Sequence, residues 1–223
     1  MPAPALHLVE SSALRYVVSA PEGARPPRPV LCFLHGYDEG APAEIRWALA
    51  RRGPLAPEGW PGARERFVIV APQLPAKGDF WHRHAPAVLG IVEEVTRAHR
   101  GDPARTYLTG FSFGGNGVFD LALAHPELWA ALWAVDPTRV PRAHIGRPVW
   151  LSGGAFARML TTAFVRALAL AVVEGATGAD ARDRVYVDDG DDHIGAATRA
   201  YGEARVYEWL LARRRPADAV SRA

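Results

Sequence analysis

Residues 110–116 read Gly110-Phe111-Ser112-Phe113-Gly114-Gly115-Asn116. The spacing G-x-S-x-G marks a nucleophile elbow, a tight strand-to-helix turn that lifts a serine hydroxyl clear of the backbone. Both flanks fit that turn. Thr106-Tyr107-Leu108-Thr109 before it is a β-branched and aromatic run, and residues 118–124 after it read as a helix. An elbow serine sits in a strained backbone conformation, and glycine neighbours let strand and helix approach each other closely. A bare G-x-S-x-G also arises by chance in glycine-rich loops. Its seat between a strand and a helix is what points to an activated serine.

The composition suits one α/β domain. The chain has 223 residues, 49% of them hydrophobic and 22% charged, a balance that builds a sizeable core but leaves two full domains cramped. We expect one domain over residues 1–215 and a short tail over 216–223. The formal net charge is +2, from 26 basic and 24 acidic side chains, so no basic face is on offer to nucleic acid. Arg213-Arg214-Arg215 follows the last predicted helix and reads as a solvated end that complements the helix dipole. The single cysteine, Cys32, lies in the apolar run Val30-Leu31-Cys32-Phe33-Leu34 and reads as a small buried hydrophobe. No leader peptide and no span of about 20 apolar residues is visible, so a cytoplasmic protein with no membrane partner is the expectation.

Apolar runs alternate with helical stretches. Residues 6–10 and 14–19 read as an opening strand pair turning at Ser11-Ser12. Further strands are expected at 30–34, 67–70, 106–109, 131–135, 149–151 and 184–187. Their continuous apolar character is that of strands buried on both faces of a parallel sheet. Helices are expected over 43–52, 86–100, 116–124, 158–174 and 196–213, with 53–66 the longest irregular loop. The order predicts a mainly parallel twisted sheet with helices on both faces and no large lid.

Four stretches resemble the α/β-hydrolase superfamily, and within it the small esterases of the dienelactone hydrolase, phospholipase/carboxylesterase and polyhydroxybutyrate-depolymerase-like groups. They are Phe33-Leu34-His35-Gly36, Val70-Ala71-Pro72-Gln73 with Trp81 downstream, the elbow itself, and His193 followed by Val206-Tyr207-Glu208-Trp209-Leu210. The resemblance implies an α/β-hydrolase fold and ester hydrolysis through an acyl-enzyme. Acyl transfer, thioester cleavage or cyclisation on the same fold, and a binding protein that has lost its acid, are the alternatives.

A serine hydroxyl needs a histidine to take its proton and a carboxylate to orient that histidine. In the resembled fold the histidine comes last, between the final strand and final helix, and His193 alone of the eight histidines holds that place. The backbone N–H groups of Phe113 and Tyr37 are the expected oxyanion donors, with Gly36 allowing close approach of substrate. His35 reads as a brace for that loop rather than an acid or base. Trp81 is expected to line the substrate pocket.

One departure stands out. The relatives usually carry the acid after the strand equivalent to 149–151, in a pattern like Gly-x-x-Asp. Here that stretch is Ser152-Gly153-Gly154-Ala155-Phe156-Ala157-Arg158, without a carboxylate. Asp136, at the end of the preceding strand and followed by Pro137, is the expected substitute, emerging at the same edge of the sheet as Ser112. Asp188, Asp189, Asp191 and Asp192 are the fallback, otherwise solvated. His82 and His84 lack carboxylate company, and neither metal nor cofactor is expected. The expected partner is a small-molecule ester or thioester, and the expected state a monomer or homodimer.

Overall fold

The structure, a computed structural model, describes residues 4–10, 13–23, 27–175, 177–178 and 182–215. Among the described residues nine strands form one sheet, in the order β1-β2-β4-β3-β5-β6-β7-β9-β8. β1 (Leu6–Val9) and β2 (Tyr16–Ser19) are antiparallel to each other, and β2 is antiparallel to β4 (Val68–Pro72). From there β3 (Arg28–Leu34), β5 (Gly101–Phe111), β6 (Ala131–Val135), β7 (Val149–Gly153), β9 (Arg184–Asp188) and β8 (Ala171–Val172) all run parallel. The turn expected at Ser11-Ser12 and the tail 216–223 lie outside the described residues.

The two-residue period of a strand divides the core into two layers. Val30, Cys32 and Leu34 face one layer together with Val68, Val70 and Leu108. Leu31 and Phe33 face the other with Ile69, Tyr107 and Trp133. Helices α3 (Ala85–Ala98) and α4 (Phe113–Ala124) cover the first layer. α1 (Ile45–Arg51), α7 (His193–Gly202) and α8 (Ala204–Leu211) cover the second. Cys32 is wholly buried, and that burial pushes its thiol pKa up, which keeps it protonated and inert. Among the described residues, no helix is long and apolar enough to cross a membrane.

Three expectations about the helices are corrected. The stretch 53–66 contains α2 (Pro61–Arg66), opened by a proline at its first position, where the missing N–H costs nothing. The single helix expected over 158–174 is α5 (Ala155–Met159) and α6 (Thr161–Leu168), followed by β8. Ala169 takes a left-handed conformation, φ 51°, and stops α6. The chain then pairs with β9 through Ala171 and Val172, so a tertiary partner overrides the helical pattern. The last helix divides into α7 and α8 at Glu203, which is extended.

The basic triplet at the end of α8 is also not simply solvated. Arg213 and Arg215 are buried. The Arg213 guanidinium lies 4.1 Å over the Trp209 ring and donates to the Trp209 carbonyl at 2.9 Å, satisfying a helix-end acceptor. Arg215 donates its N–H to the Ala104 carbonyl at 2.8 Å, clipping this end against the start of β5.

Candidate active site

Ser112 sits between β5 and α4 with φ 56° and ψ −115°, a conformation that costs a side-chain-bearing residue about 1–3 kcal/mol and persists only where its surroundings impose it. Those surroundings are backbone. A Cβ on Gly114 would lie 1.9 Å from the Leu34 carbonyl oxygen, and one on Gly110 would lie 2.3 Å from the Gly114 carbonyl oxygen. The two glycines therefore let α4 start directly against β3 and β5. The Ser112 N–H donates to the Val135 carbonyl at 2.9 Å, tying the elbow to the end of β6.

Asp136 follows immediately on β6, also left-handed, with φ 39°, and is 0% exposed. Its carboxylate is fully engaged. Oδ1 accepts the N–H groups of Gly154 (3.1 Å) and Ala157 (2.7 Å), and Oδ2 accepts the N–H of Phe156 (3.3 Å). The stretch 152–158, which lacks an acid of its own, thus supplies three donors to the acid on the neighbouring strand. Gly154 is required for this, because a Cβ there would fall 2.7 Å from the Asp136 carboxyl carbon and 2.7 Å from the Ala196 methyl.

His193 is the first residue of α7, placed there by Asp192, whose side chain caps the helix by accepting the Gly195 N–H at 2.6 Å. Its ring joins the other two side chains: Nδ1 is 2.6 Å from Asp136 Oδ2 and Nε2 is 3.1 Å from Ser112 Oγ. Because a carboxylate only accepts, Nδ1 carries the proton and Nε2 of the neutral ring accepts from the Ser112 hydroxyl. Phe111 packs at 4.6 Å on the ring and Phe156 meets it edge-on at 4.7 Å. This aromatic clamp holds the imidazole in plane, and sequence reading missed it: residues 111, 156 and 193 meet only in the fold.

The four fallback aspartates are occupied elsewhere. Asp188 forms a two-pronged pair with Arg158 at 2.7 Å, which holds its carboxyl below the usual range. Asp189 pairs with Arg205 and Asp191 with Arg199, while Asp192 caps α7. The expectation that this cluster is merely hydrated is replaced by three surface ion pairs that steady the loop carrying His193.

Tyr37 opens a 3-10 turn (Tyr37–Glu39) and Phe113 opens α4, so neither N–H has an acceptor within its own helix. Their rings meet edge to face at 5.1 Å, which brings the two segments side by side. His35 sets the loop between them. Its Nε2 accepts the Leu74 N–H at 3.0 Å, so Nδ1 bears the proton and donates to the Gly36 carbonyl at 2.7 Å. A trans peptide is planar with its C=O and N–H opposed. Pinning the Gly36 carbonyl to His35 therefore turns the Tyr37 N–H the other way. Gln73, buried at the end of β4, staples the same loop by donating to the carbonyls of Glu39 and Ala43, each at 2.9 Å. A Cβ on Gly36 would lie 2.9 Å from a carboxylate oxygen of Glu39, whose side chain would have to move aside, and 3.6 Å from Phe111. Trp81 is only 2% exposed and acts mainly as a strut: its ring packs against Gly117 and its Nε1 donates to the His35 carbonyl at 3.2 Å. Its neighbour Phe80 presents the exposed ring.

Burial lowers the pKa of His35 from 6.5 to about 4. The unfolded chain binds a proton near pH 6.5 and the folded chain does not, so the stability His35 allows is complete above pH 6.5 and falls as pH drops toward 4. Over that window the loss amounts to about 3 kcal/mol. We expect Tm to fall on acidification through this range. In His35→Asn, which cannot titrate, that part of the slope should vanish, while the neutral-pH Tm is already lower. An unchanged slope in the variant would show that other groups drive the acid lability.

No family model and no curated protein matches the chain. Among solved structures, a thermostable esterase aligns over 96% of this chain with a TM-score of 0.69 at 18% identity. The chain spans 64% of that protein's length. An acetyl xylan esterase from Aspergillus awamori aligns over 61% of this chain and 53% of its own, with a TM-score of 0.47 at 18% identity. The sheet order, the elbow between β5 and α4, and the likeness to the thermostable esterase over nearly the whole chain make this an α/β-hydrolase fold.

Proposed function

We propose that this protein is a serine esterase, cleaving a carboxylic ester through an acyl-enzyme. One observation carries the reading: Ser112 Oγ, both ring nitrogens of His193 and the Asp136 carboxylate form an unbroken chain of hydrogen bonds at 3.1 and 2.6 Å. In the first half-reaction His193 Nε2 takes the Ser112 proton as Oγ bonds to the acyl carbon. The carbonyl oxygen becomes an oxyanion facing the N–H groups of Tyr37 and Phe113, each of which contributes on the order of 10²–10³ in rate in comparable sites. Asp136 stabilises the imidazolium. The imidazolium then protonates the leaving alkoxide as the ester C–O bond breaks. Water, deprotonated by the same nitrogen, releases the acid and restores Ser112.

Acyl transfer remains the second reading, because the acyl-enzyme can be resolved by an alcohol, amine or thiol in place of water. A non-catalytic binding role is disfavoured by the bond between His193 and Asp136, which such a protein has no reason to retain. A fluorophosphonate probe tests the proposal directly. It should label one serine rapidly and stoichiometrically, and Ser112→Ala should abolish the labelling. Slow labelling, or labelling that survives the substitution, would refute an activated Ser112. Adding a competing alcohol to the acyl-enzyme then separates hydrolysis from transfer by the product ratio.

A further inference from the structure

A cavity of about 190 Å³ runs beside the elbow, bounded by Phe80, Trp81, Phe113 and Gly117. Phe113, Asn116, Gly117 and Asp120 fall on one face of α4 by the three-to-four residue spacing of a helix. The cavity therefore starts at the residue following Ser112 and continues down that face.

The polar groups around it are already paired with one another. Asn116 donates to Thr138 Oγ1 at 2.8 Å and accepts the N–H groups of Thr138 and Arg139 at 3.1 and 3.0 Å. Asp120 pairs with Arg139 at 2.7 Å, and Asp79 with His84 at 2.8 Å, which corrects the expectation that His84 lacks a carboxylate neighbour. What the wall leaves for a guest is chiefly ring surface. Phe80 and Phe113 stack with centroids 6.3 Å apart and an interplanar angle of 26°, and Phe80 is 46% exposed although large and apolar. Aromatic walls favour an aromatic guest through offset and edge-to-face contacts beyond simple area burial. The size agrees, since an apolar cavity of about 150 Å³ takes up benzene.

Chemistry decides which end of the ester enters. His193 must protonate the leaving oxygen, so the alcohol lies on its side, where the exposed Phe156 packs against the imidazole. The cavity begins instead at Phe113, one residue past Ser112, and neither His193 nor its neighbours Phe156 and Ile194 line it. We propose that it is the acyl site, and that the substrates are esters of aromatic carboxylic acids with a ring the size of benzoyl. This rests on the esterase reading above.

Methyl benzoate and phenyl acetate are isomers that carry the ring on opposite ends of the ester. In the wild type both should be hydrolysed. In Phe80→Ala the ratio of kcat/KM for methyl benzoate to that for phenyl acetate should fall about tenfold, the scale on which a hydrophobic pocket discriminates. The ratio cancels any general change in serine reactivity, and Phe80 is exposed enough for its removal to leave the fold in place. An unchanged or increased ratio would overturn the acyl-site assignment. So would a wild type that leaves methyl benzoate intact while a fluorophosphonate labels Ser112, and in both cases the esterase reading would stand. If neither ester turns over and Ser112 is not labelled, both readings fall.

Discussion

Ser112→Ala should lower kcat for an ester substrate by roughly 10⁴-fold or more while leaving the thermal transition nearly unchanged. The substitution removes only Oγ. The positive φ at this position is imposed by the backbone packing of Gly110 and Gly114 and by the bond from the Ser112 N–H to Val135, none of which involves the hydroxyl. His193→Ala should be comparably damaging, because without Nε2 the hydroxyl proton has no acceptor in the site. The double variant should be little worse than either single one, since the two side chains act as one unit. Initial rates for the three variants measure this directly. Losses that multiply would mean that Ser112 and His193 contribute independently, and the proposed mechanism would be wrong.

Asp136→Asn should lower kcat by a factor on the order of 10⁴, and the structure says why the amide cannot compensate by flipping. Two backbone N–H groups, from Gly154 and Ala157, converge on Oδ1 at 3.1 and 2.7 Å. Only a carbonyl oxygen satisfies them, so the amide NH₂ is forced into the Oδ2 position, 2.6 Å from His193 Nδ1. A donor there compels Nδ1 to accept, which shifts the ring proton to Nε2 and aims an N–H at Ser112 Oγ. The base is then protonated on the wrong side. The NH₂ also confronts the Phe156 N–H, so a loss of about 1–3 kcal/mol in stability should accompany the loss of rate. Nitrogen-15 spectra of the imidazole would reveal the tautomer. If Asp136→Asn keeps the Nδ1–H form and most of its activity, the carboxylate is not setting the tautomer.

The sequence announces the parts of this molecule whose constraints are local. Each central strand is buried on both faces, so runs such as 30–34 and 131–135 are apolar without interruption. The elbow glycines are dictated by contacts within a few residues or with the adjacent strand. His193 was legible from chain order, and Asp136 from the absence of a carboxylate in 152–158 together with the shared sheet edge. What escaped is set by distant partners. Nothing in an alanine at position 169 forecasts a left-handed residue, nor does the stretch after it forecast an edge strand that exists by pairing with β9. The burial of Arg213 depends on Trp209 and on a carbonyl at Arg182. The aspartates at 188, 189 and 191 look free in sequence because their arginine partners lie at 158, 205 and 199.

The seat of Asp136 has a consequence for how such sites are built. β6 and β7 are parallel neighbours in register, Val135 opposite Ser152, and adjacent strands are spaced about 4.8 Å apart. The sequence resemblance implies an acid after the strand equivalent to β7, whereas the carboxylate bonded to His193 here leaves from the end of β6. The sheet edge thus behaves as a ruler with a fixed step, and a carboxylate moved by one step still reaches the same imidazole nitrogen. What the move demands is an exchange between loops: the vacated one gives up its side chain at Gly154 and turns three amides toward the newcomer. An aspartate at position 154 would therefore fail while Asp136 remains, since its Cβ alone would fall 2.7 Å from the Asp136 carboxyl carbon. A designer who moves the carboxylate to residue 154 has to change both strand ends at once.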